Sequence, residues 1–141
     1  MIFALLFASQ TIALSVPINV KDNITLRWQV GVKPSALKML PLLRRCARKN
    51  RLVADFTHSL EFRIVSQAWL NSAFPLVKQQ RRTGRYFPAQ NGHPALIYLA
   101  DGKETLLSLA HEWLHHLTEL SAKNWNETKI EASAKRCWRA P

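Results

Sequence analysis

Hydrophobic and polar residues alternate along two stretches of the chain, and this pattern predicts two β-strands. In residues 23–32 the apolar side chains fall on every second position, so an extended chain places them on one side. These side chains belong to Ile24, Leu26, Trp28 and Val30. Leu60–Val65 alternates in the same way. We therefore expect two strands that each bury one face.

A hairpin is predicted further along the chain. Residues 85–89 and Ala95–Ala100 resemble strands and flank the pair Asn91-Gly92. Asn-Gly is the strongest short signal for a two-residue hairpin turn, because both positions must adopt a positive φ. The segment before this hairpin, residues 68–80, is ambiguous.

Helical periodicity dominates the last third of the chain. Asp101, followed three residues later by Glu104, fits a capping box and predicts that a helix begins there. Apolar residues then recur at helical spacing to about Ser121. We expect a final helix to begin at Asn124 or Asn126.

An earlier helix is predicted to begin at Pro34 and Ser35, with apolar residues at helical spacing up to Cys46. Pro41 lies inside this pattern, where a proline can split or kink a helix. The element order of strand, helix, strands, hairpin, helix and helix indicates an α+β domain with a small, mostly antiparallel sheet.

The start of the chain differs in composition from the rest. No charged side chain occurs before Lys21, and residues 1–20 resemble the apolar region of a signal peptide, with Ala13 and Ser15 suited to a cleavage site. Polar residues interrupt this stretch, which argues against a stable membrane span. An N-terminal strand or helix packed on the core is the alternative. We assign residues 21–141 to one domain and favour a secreted or periplasmic location over a cytoplasmic one.

Two cysteines, Cys46 and Cys137, fit either compartment. In an exported protein they would form one disulfide between an early helix and the last one, and in a cytoplasmic protein they would be two buried thiols. They lie too far apart in sequence to form a metal-binding motif.

The formal net charge of +11 is unevenly distributed. Residues 21–90 contain 14 Lys or Arg against 3 acids, whereas residues 91–141 contain 6 of each. Basic clusters can bind phosphate or other anionic surfaces, but a solvated face that aids solubility is the simpler interpretation. Because no aromatic-interleaved motif accompanies the clusters, nucleic-acid binding is not favoured.

The segment His-Glu-Trp-Leu-His lies well inside the predicted helix and contains His111, Glu112 and His115. Residues four apart share one helix face at about 6 Å, so both imidazoles can bind one Zn²⁺. Glu112 can then serve as the base for the attacking water. His116 lies about 100° around the helix from His115, and we do not expect it to bind the same ion. An incidental pair of histidines is the alternative.

A catalytic zinc site needs a third protein ligand and an open fourth position. Metzincins would have glycine and histidine where this chain has Thr118 and Ser121. SprT-like domains take their third ligand from a downstream histidine, and none follows His116. Neither class fits, which leaves a glutamate.

We prefer Glu131 as the third ligand, because small residues follow it and allow the last two helices to approach closely. Glu127 is the alternative, and a favourable interaction with the helix dipole is its simpler role. Glu119 lies one turn beyond His115, where support of a ligand suits it better than ligation.

Residues 109–117 (Leu-Ala-His-Glu-Trp-Leu-His-His-Leu) resemble the active-site helix of gluzincin-type zinc peptidases, especially minigluzincin and ImmA/IrrE-like domains. Residues 131–134 resemble their glutamate helix, and residues 84–99 resemble the preceding hairpin. The resemblance implies a zincin-like fold in which the strand before the active-site helix is an edge strand. That would place Ala95–Ala100 beside an extended peptide substrate.

Two departures from the family stand out. The tail after Glu131 is short, and no donor for an oxyanion is obvious. The candidate donors are Tyr86, Tyr98, His58 and His93, for which packing or turn roles are the simpler interpretation.

The leading hypothesis is a zinc metallopeptidase that cleaves peptide or protein substrates with Glu112 as general base. One alternative is a noncatalytic, zinc-stabilised domain that binds a partner or nucleic acid through its basic face. Another is a toxin, phage or mobile-element effector built on the same scaffold. A purely structural site has no need of Glu112, and this favours the enzyme.

Overall fold

A computed structural model describes residues 12–32, 38–75 and 82–139. Within these ranges the chain forms five strands and four helices, which confirms the α+β class. The strands are β1 Ile18–Lys21, β2 Ile24–Trp28, β3 Leu60–Val65, β4 Gly84–Phe87 and β5 Ala95–Ala100. The helices are α1 Met39–Lys49, α2 Gln67–Ala73, α3 Thr105–Leu120 and α4 Glu127–Arg139.

The strands form one mixed sheet in the order β1-β2-β3-β5-β4. The outer pairs, β1 with β2 and β4 with β5, are antiparallel, whereas the pairs β2 with β3 and β3 with β5 are parallel. The prediction of a mostly antiparallel sheet was therefore wrong. The reason is that α1 connects β2 to β3, and a helical crossover of this kind brings the second strand alongside in parallel.

The position of β5 corrects a second expectation. Because β3 and β4 pair with its two sides, β5 is an inner strand and has no free edge for a peptide. Among the described residues, β4 ends the sheet. The edge strand beside the histidine helix is thus Gly84–Phe87, and the expectation that Ala95–Ala100 pairs with substrate was wrong.

The predicted hairpin between β4 and β5 is confirmed. Asn91 and Gly92 have φ of 51° and 77°, and the backbone N–H of His93 donates to the carbonyl of Gln90 at 2.9 Å. Positive φ at both central positions matches the turn type that Asn-Gly favours.

Part of the predicted leader belongs to the sheet. β1 pairs with β2, with Ile18 opposite Leu26, so the boundary expected at residue 20 falls inside a strand. Residues 1–11 of that leader lie outside the described residues. No helix in the described ranges is long and apolar enough to cross a membrane.

Helix α1 begins at Met39, whereas the predicted start at Pro34 lies outside the described residues. Pro41 therefore falls in the first turn, where its missing N–H would have no helical partner, and it does not break the helix. Cys46 and Cys137 are joined by a disulfide that connects α1 to α4.

The capping box expected at the start of α3 is wrong. The helix begins at Thr105, and the side chain of the preceding Glu104 makes no capping hydrogen bond. The Thr105 hydroxyl instead accepts a hydrogen bond from the Gly102 N–H and donates to the carbonyl of Ala100. The hydroxyl therefore joins the end of β5 directly to the helix that carries the histidines.

The sheet separates two clusters of buried side chains. The larger one packs α1, α3 and α4 against one face and contains Phe62, Ile97, Leu114 and Trp113. The smaller cluster lies on the opposite face, where α2 contributes Leu70. Because side chains alternate along a strand, Gly84 and Tyr86 of β4 face α3.

Candidate metal centre

His111 and His115 lie one turn apart on α3, and their ring centroids are 5.0 Å apart. Most of the helix is buried, but 23% and 29% of these two side chains remain exposed. They therefore line a surface that a metal ion and a substrate could both reach.

Glu127 completes a cluster with these histidines. Its Oε1 lies 2.5 Å from Nε2 of His111, and its Oε2 lies 3.0 Å from Nε2 of His115. Asn126 places the carboxylate, because its side chain caps α4 by accepting a hydrogen bond from the Lys129 N–H at 2.8 Å. Glu127 is thus fixed in the first turn of α4, directly opposite the imidazoles.

The structure does not bring Glu131 to the histidines. The Glu131 carboxylate forms an ion pair with Lys135 of the same helix at 3.4 Å, and 56% of the side chain is exposed. The expectation that Glu131 lies beside the two histidines was therefore wrong, and Glu127 occupies that place. The choice depended on how α4 meets α3, which spacing along the chain could not determine.

The donor set fits a zinc ion. Among the described residues, His111, His115 and Glu127 are the group whose nitrogen and oxygen atoms converge, all within 4.8 Å of one another. Two ligand atoms of a tetrahedral zinc ion at about 2.1 Å lie roughly 3.4 Å apart, which is within the 4.8 Å that encloses the ligand atoms of these side chains. Two imidazoles and one carboxylate would leave a fourth position open.

Glu112 lies beside this cluster but points into the protein, and only 6% of it is exposed. Burial, with a smaller contribution from the charge of Glu127, raises the pKa of Glu112 to about 8, while Arg82 and Arg85 oppose the shift. A carboxyl group whose pKa lies near neutral pH is suited to accept a proton and release it again.

Gly84 makes room for the Glu112 side chain. A Cβ at this position would lie 3.0 Å from Cγ of Glu112 and 3.4 Å from Cβ of Ser108. Next to it, the Thr83 hydroxyl hydrogen-bonds the Ser108 hydroxyl. The edge strand and α3 therefore touch directly where the Glu112 carboxylate is buried. In the sequence, Gly84 is visible only as a glycine at the start of a strand, and its contact with Glu112 was not predicted.

Tyr86 and His116 form the next contact between β4 and α3. The Tyr86 hydroxyl lies 3.1 Å from Nδ1 of His116, whose ring is 1% exposed. As expected, His116 points away from the cluster of His111 and His115. Burial lowers the pKa of His116 to about 4, so the imidazole is neutral at physiological pH. Burial, followed by the charge of Glu119, raises the pKa of Tyr86.

The other candidate oxyanion donors have structural partners or turn positions. The Tyr98 hydroxyl accepts a hydrogen bond from Arg63 at 2.8 Å on the opposite face of the sheet. His58 contacts the Asp55 carboxylate at 2.9 Å, and His93 follows the hairpin turn. These positions agree with the simpler roles expected from the sequence.

A comparison of this chain with protein-family models, with curated proteins and with solved structures finds no match. The site must therefore be interpreted from its own geometry.

Proposed function

We propose that this protein is a zinc-dependent metallopeptidase with a zincin-like arrangement of edge strand, active-site helix and glutamate helix. One observation carries the proposal: His111, His115 and Glu127 converge beside the buried carboxylate of Glu112. A metal-binding group alone would have no use for Glu112, whose burial as a carboxylate is unfavourable.

The ligands of the ion would be His111, His115 and Glu127. A bound zinc ion would supply a Lewis acid that polarises the scissile carbonyl and lowers the pKa of water. Glu112 accepts the proton of the attacking water and passes it to the leaving amine. A pKa near neutral pH suits both steps, because the same group must first accept the proton and then release it.

The outer edge of β4, which no described strand covers, is suited to bind the peptide backbone. The Ala100 N–H donates to the Thr83 carbonyl, and the register continues with Gly84 opposite Leu99 and Arg85 opposite Tyr98. In an antiparallel pair, hydrogen-bonded positions alternate, so the backbone groups of Gly84 and Tyr86 face away from β5. An extended peptide can add to this edge and lie directly over Glu112.

The disulfide between Cys46 and Cys137 supports an oxidising compartment, and we propose a secreted or periplasmic location on that ground.

The ligand set is tested by measuring bound zinc after purification. We expect near-stoichiometric zinc in the wild type and its loss in His111→Ala and Glu127→Ala. Glu131→Ala is the matched control, because it removes an exposed carboxylate from the same helix and should retain zinc. Retention of zinc by both His111→Ala and Glu127→Ala would refute the site. Stoichiometric zinc without hydrolysis of any peptide would favour the noncatalytic domain.

A further inference from the structure

A large groove adjoins the C-terminal half of α3, the helix that carries His111 and His115. Its volume is about 940 Å³, and it lies between the hairpin turn, the starts of β3 and β5, and the C-terminal turns of α3. Tyr86 and His116, which adjoin the Gly84–Glu112 contact, form part of its lining. A groove of this size can hold several side chains of a ligand.

The charge of the groove is opposite to that of the protein. The whole chain carries +11, yet the described lining contains three carboxylates and no Lys or Arg. Two of these acids have basic partners, because Asp22 lies 4.0 Å from Lys21 and Glu61 lies 2.5 Å from Arg63. Glu119 has no ion-pair partner within the described ranges, and it is exposed beside Tyr86.

His116, which forms part of the lining, also has a buried polar atom that lacks a hydrogen-bond partner among the described residues. Nε2 of His116 is inaccessible and makes no hydrogen bond with any described residue, whereas Nδ1 contacts Tyr86. An unpaired polar atom at this depth costs free energy, and a ligand group that reaches it would recover that cost. The unpaired His116 nitrogen therefore indicates a bound polar group, independently of the three carboxylates that line the groove.

The edge strand leads from the proposed metal centre into this groove. Gly84 contacts Glu112, Tyr86 contacts His116 two residues later, and Pro88 lines the groove. Two residues of a strand span about 7 Å. A peptide on the open edge of β4 would therefore place a side chain in the groove within a few residues of the scissile bond.

We propose that this groove binds a Lys or Arg side chain of the substrate, on one side of the scissile bond, with Glu119 as the charge that selects it. The inference rests on the proposed peptidase function and narrows its substrates to peptides with a basic residue at one fixed distance from the cleavage point. The aliphatic stem of such a side chain would pack on Pro88 and Leu120, and its charged end would meet Glu119.

The test uses zinc-loaded protein and fluorogenic octapeptides that are identical except for one Lys, which moves along the peptide. A matched set has norleucine in place of Lys. At one position we expect kcat/KM to be about fivefold higher with Lys, as for a single partly exposed ion pair. Glu119→Gln should reduce this ratio to about one. Glu104→Gln, which removes an exposed acid from the other end of α3, should leave it unchanged.

The failure of this inference can be told apart from failure of the peptidase proposal. Binding of both peptide sets to Glu112→Gln protein gives a second readout that needs no cleavage. Selective binding of Lys peptides without hydrolysis by the wild type supports the groove and refutes only the peptidase. Equal binding and equal cleavage of both peptide sets would refute the proposal that the groove selects a basic side chain. It would also be refuted if Glu104→Gln lowered the Lys-to-norleucine ratio of kcat/KM as much as Glu119→Gln does.

Discussion

The contact between β4 and α3 has two ends that differ in kind. At one end the strand contributes Gly84, and a glutamate side chain fills the space that a Cβ would occupy. At the other end the strand contributes Tyr86, whose hydroxyl and ring pack on His116. The comparison teaches that the Glu112 carboxylate is buried where the strand has no side chain, whereas an aromatic ring fills the space two residues further along.

The largest expected effect comes from the Gly84 end. Glu112→Gln keeps the shape of the side chain but cannot accept a proton, so kcat/KM should fall by roughly 10²–10⁴. Zinc content should remain near stoichiometric, because Glu112 is not a ligand. Peptide hydrolysis and metal analysis on the same preparation check both parts, and unchanged hydrolysis would remove Glu112 from the mechanism.

Gly84→Ala should disturb the contact between Gly84 and Glu112 from the strand side. The added Cβ would lie 3.0 Å from Cγ of Glu112, so the carboxylate or the strand must shift. We expect a loss of about 1–3 kcal/mol in the free energy of unfolding, and of about tenfold in kcat/KM through misplacement of the base.

Gly102→Ala is the control for this substitution, because its Cβ would meet no atom within 4 Å. Denaturant unfolding and kinetics of both variants provide the measurement. If the two variants behave alike, close packing of Gly84 on Glu112 has no functional role.

Tyr86→Phe tests the other end. The ring remains, but Nδ1 of His116 loses the hydroxyl at 3.1 Å and the buried imidazole has no described partner left. We expect a loss of about 1 kcal/mol in unfolding free energy, measured by chemical denaturation. If Tyr86→Phe lost as much hydrolysis as Glu112→Gln while it retained zinc, the Tyr86–His116 contact would be as important for catalysis as the Gly84–Glu112 contact, and the distinction between them would fail.

The smallest effect concerns Asp55, next to the groove residue His58. Hydrogen bonds from the Thr57 side chain, and then from its backbone N–H and from His58, lower the pKa of Asp55 from 3.8 to about 2, against a smaller opposing effect of burial. A lowered folded-state pKa stabilises the fold above the ordinary value and loses this contribution as pH falls.

The stability difference between wild type and Asp55→Asn should therefore be constant above about pH 5 and shrink between about pH 5 and pH 2. Unfolding curves across this range measure it. If the stability difference between the two proteins increased on acidification, the lowered pKa of Asp55 would be contradicted.

Local signals predicted the elements around the site well. The Asn91-Gly92 turn and the periodicity of α3 are properties of neighbouring residues, and both are found in the structure. The proximity of His111 and His115 followed in the same way, since a helix fixes the separation of residues four apart.

What the sequence could not determine depends on contacts between distant segments. The choice between Glu127 and Glu131 required the angle at which α4 approaches α3. The identity of the edge strand required the knowledge that β3 occupies one side of β5. The start of α3 was misjudged because the Thr105 hydroxyl binds the end of β5, which a search for a capping box does not consider.

The disulfide between Cys46 and Cys137 encloses most of the loops of the molecule, since its two cysteines are 91 positions apart. A single cut anywhere within that span would leave both fragments covalently attached. A nicked molecule would run as one band on a denaturing gel without reductant and separate into two bands only after reduction. Surface loops within that span could thus be cleaved while α1 and α4, with Glu127, stayed linked.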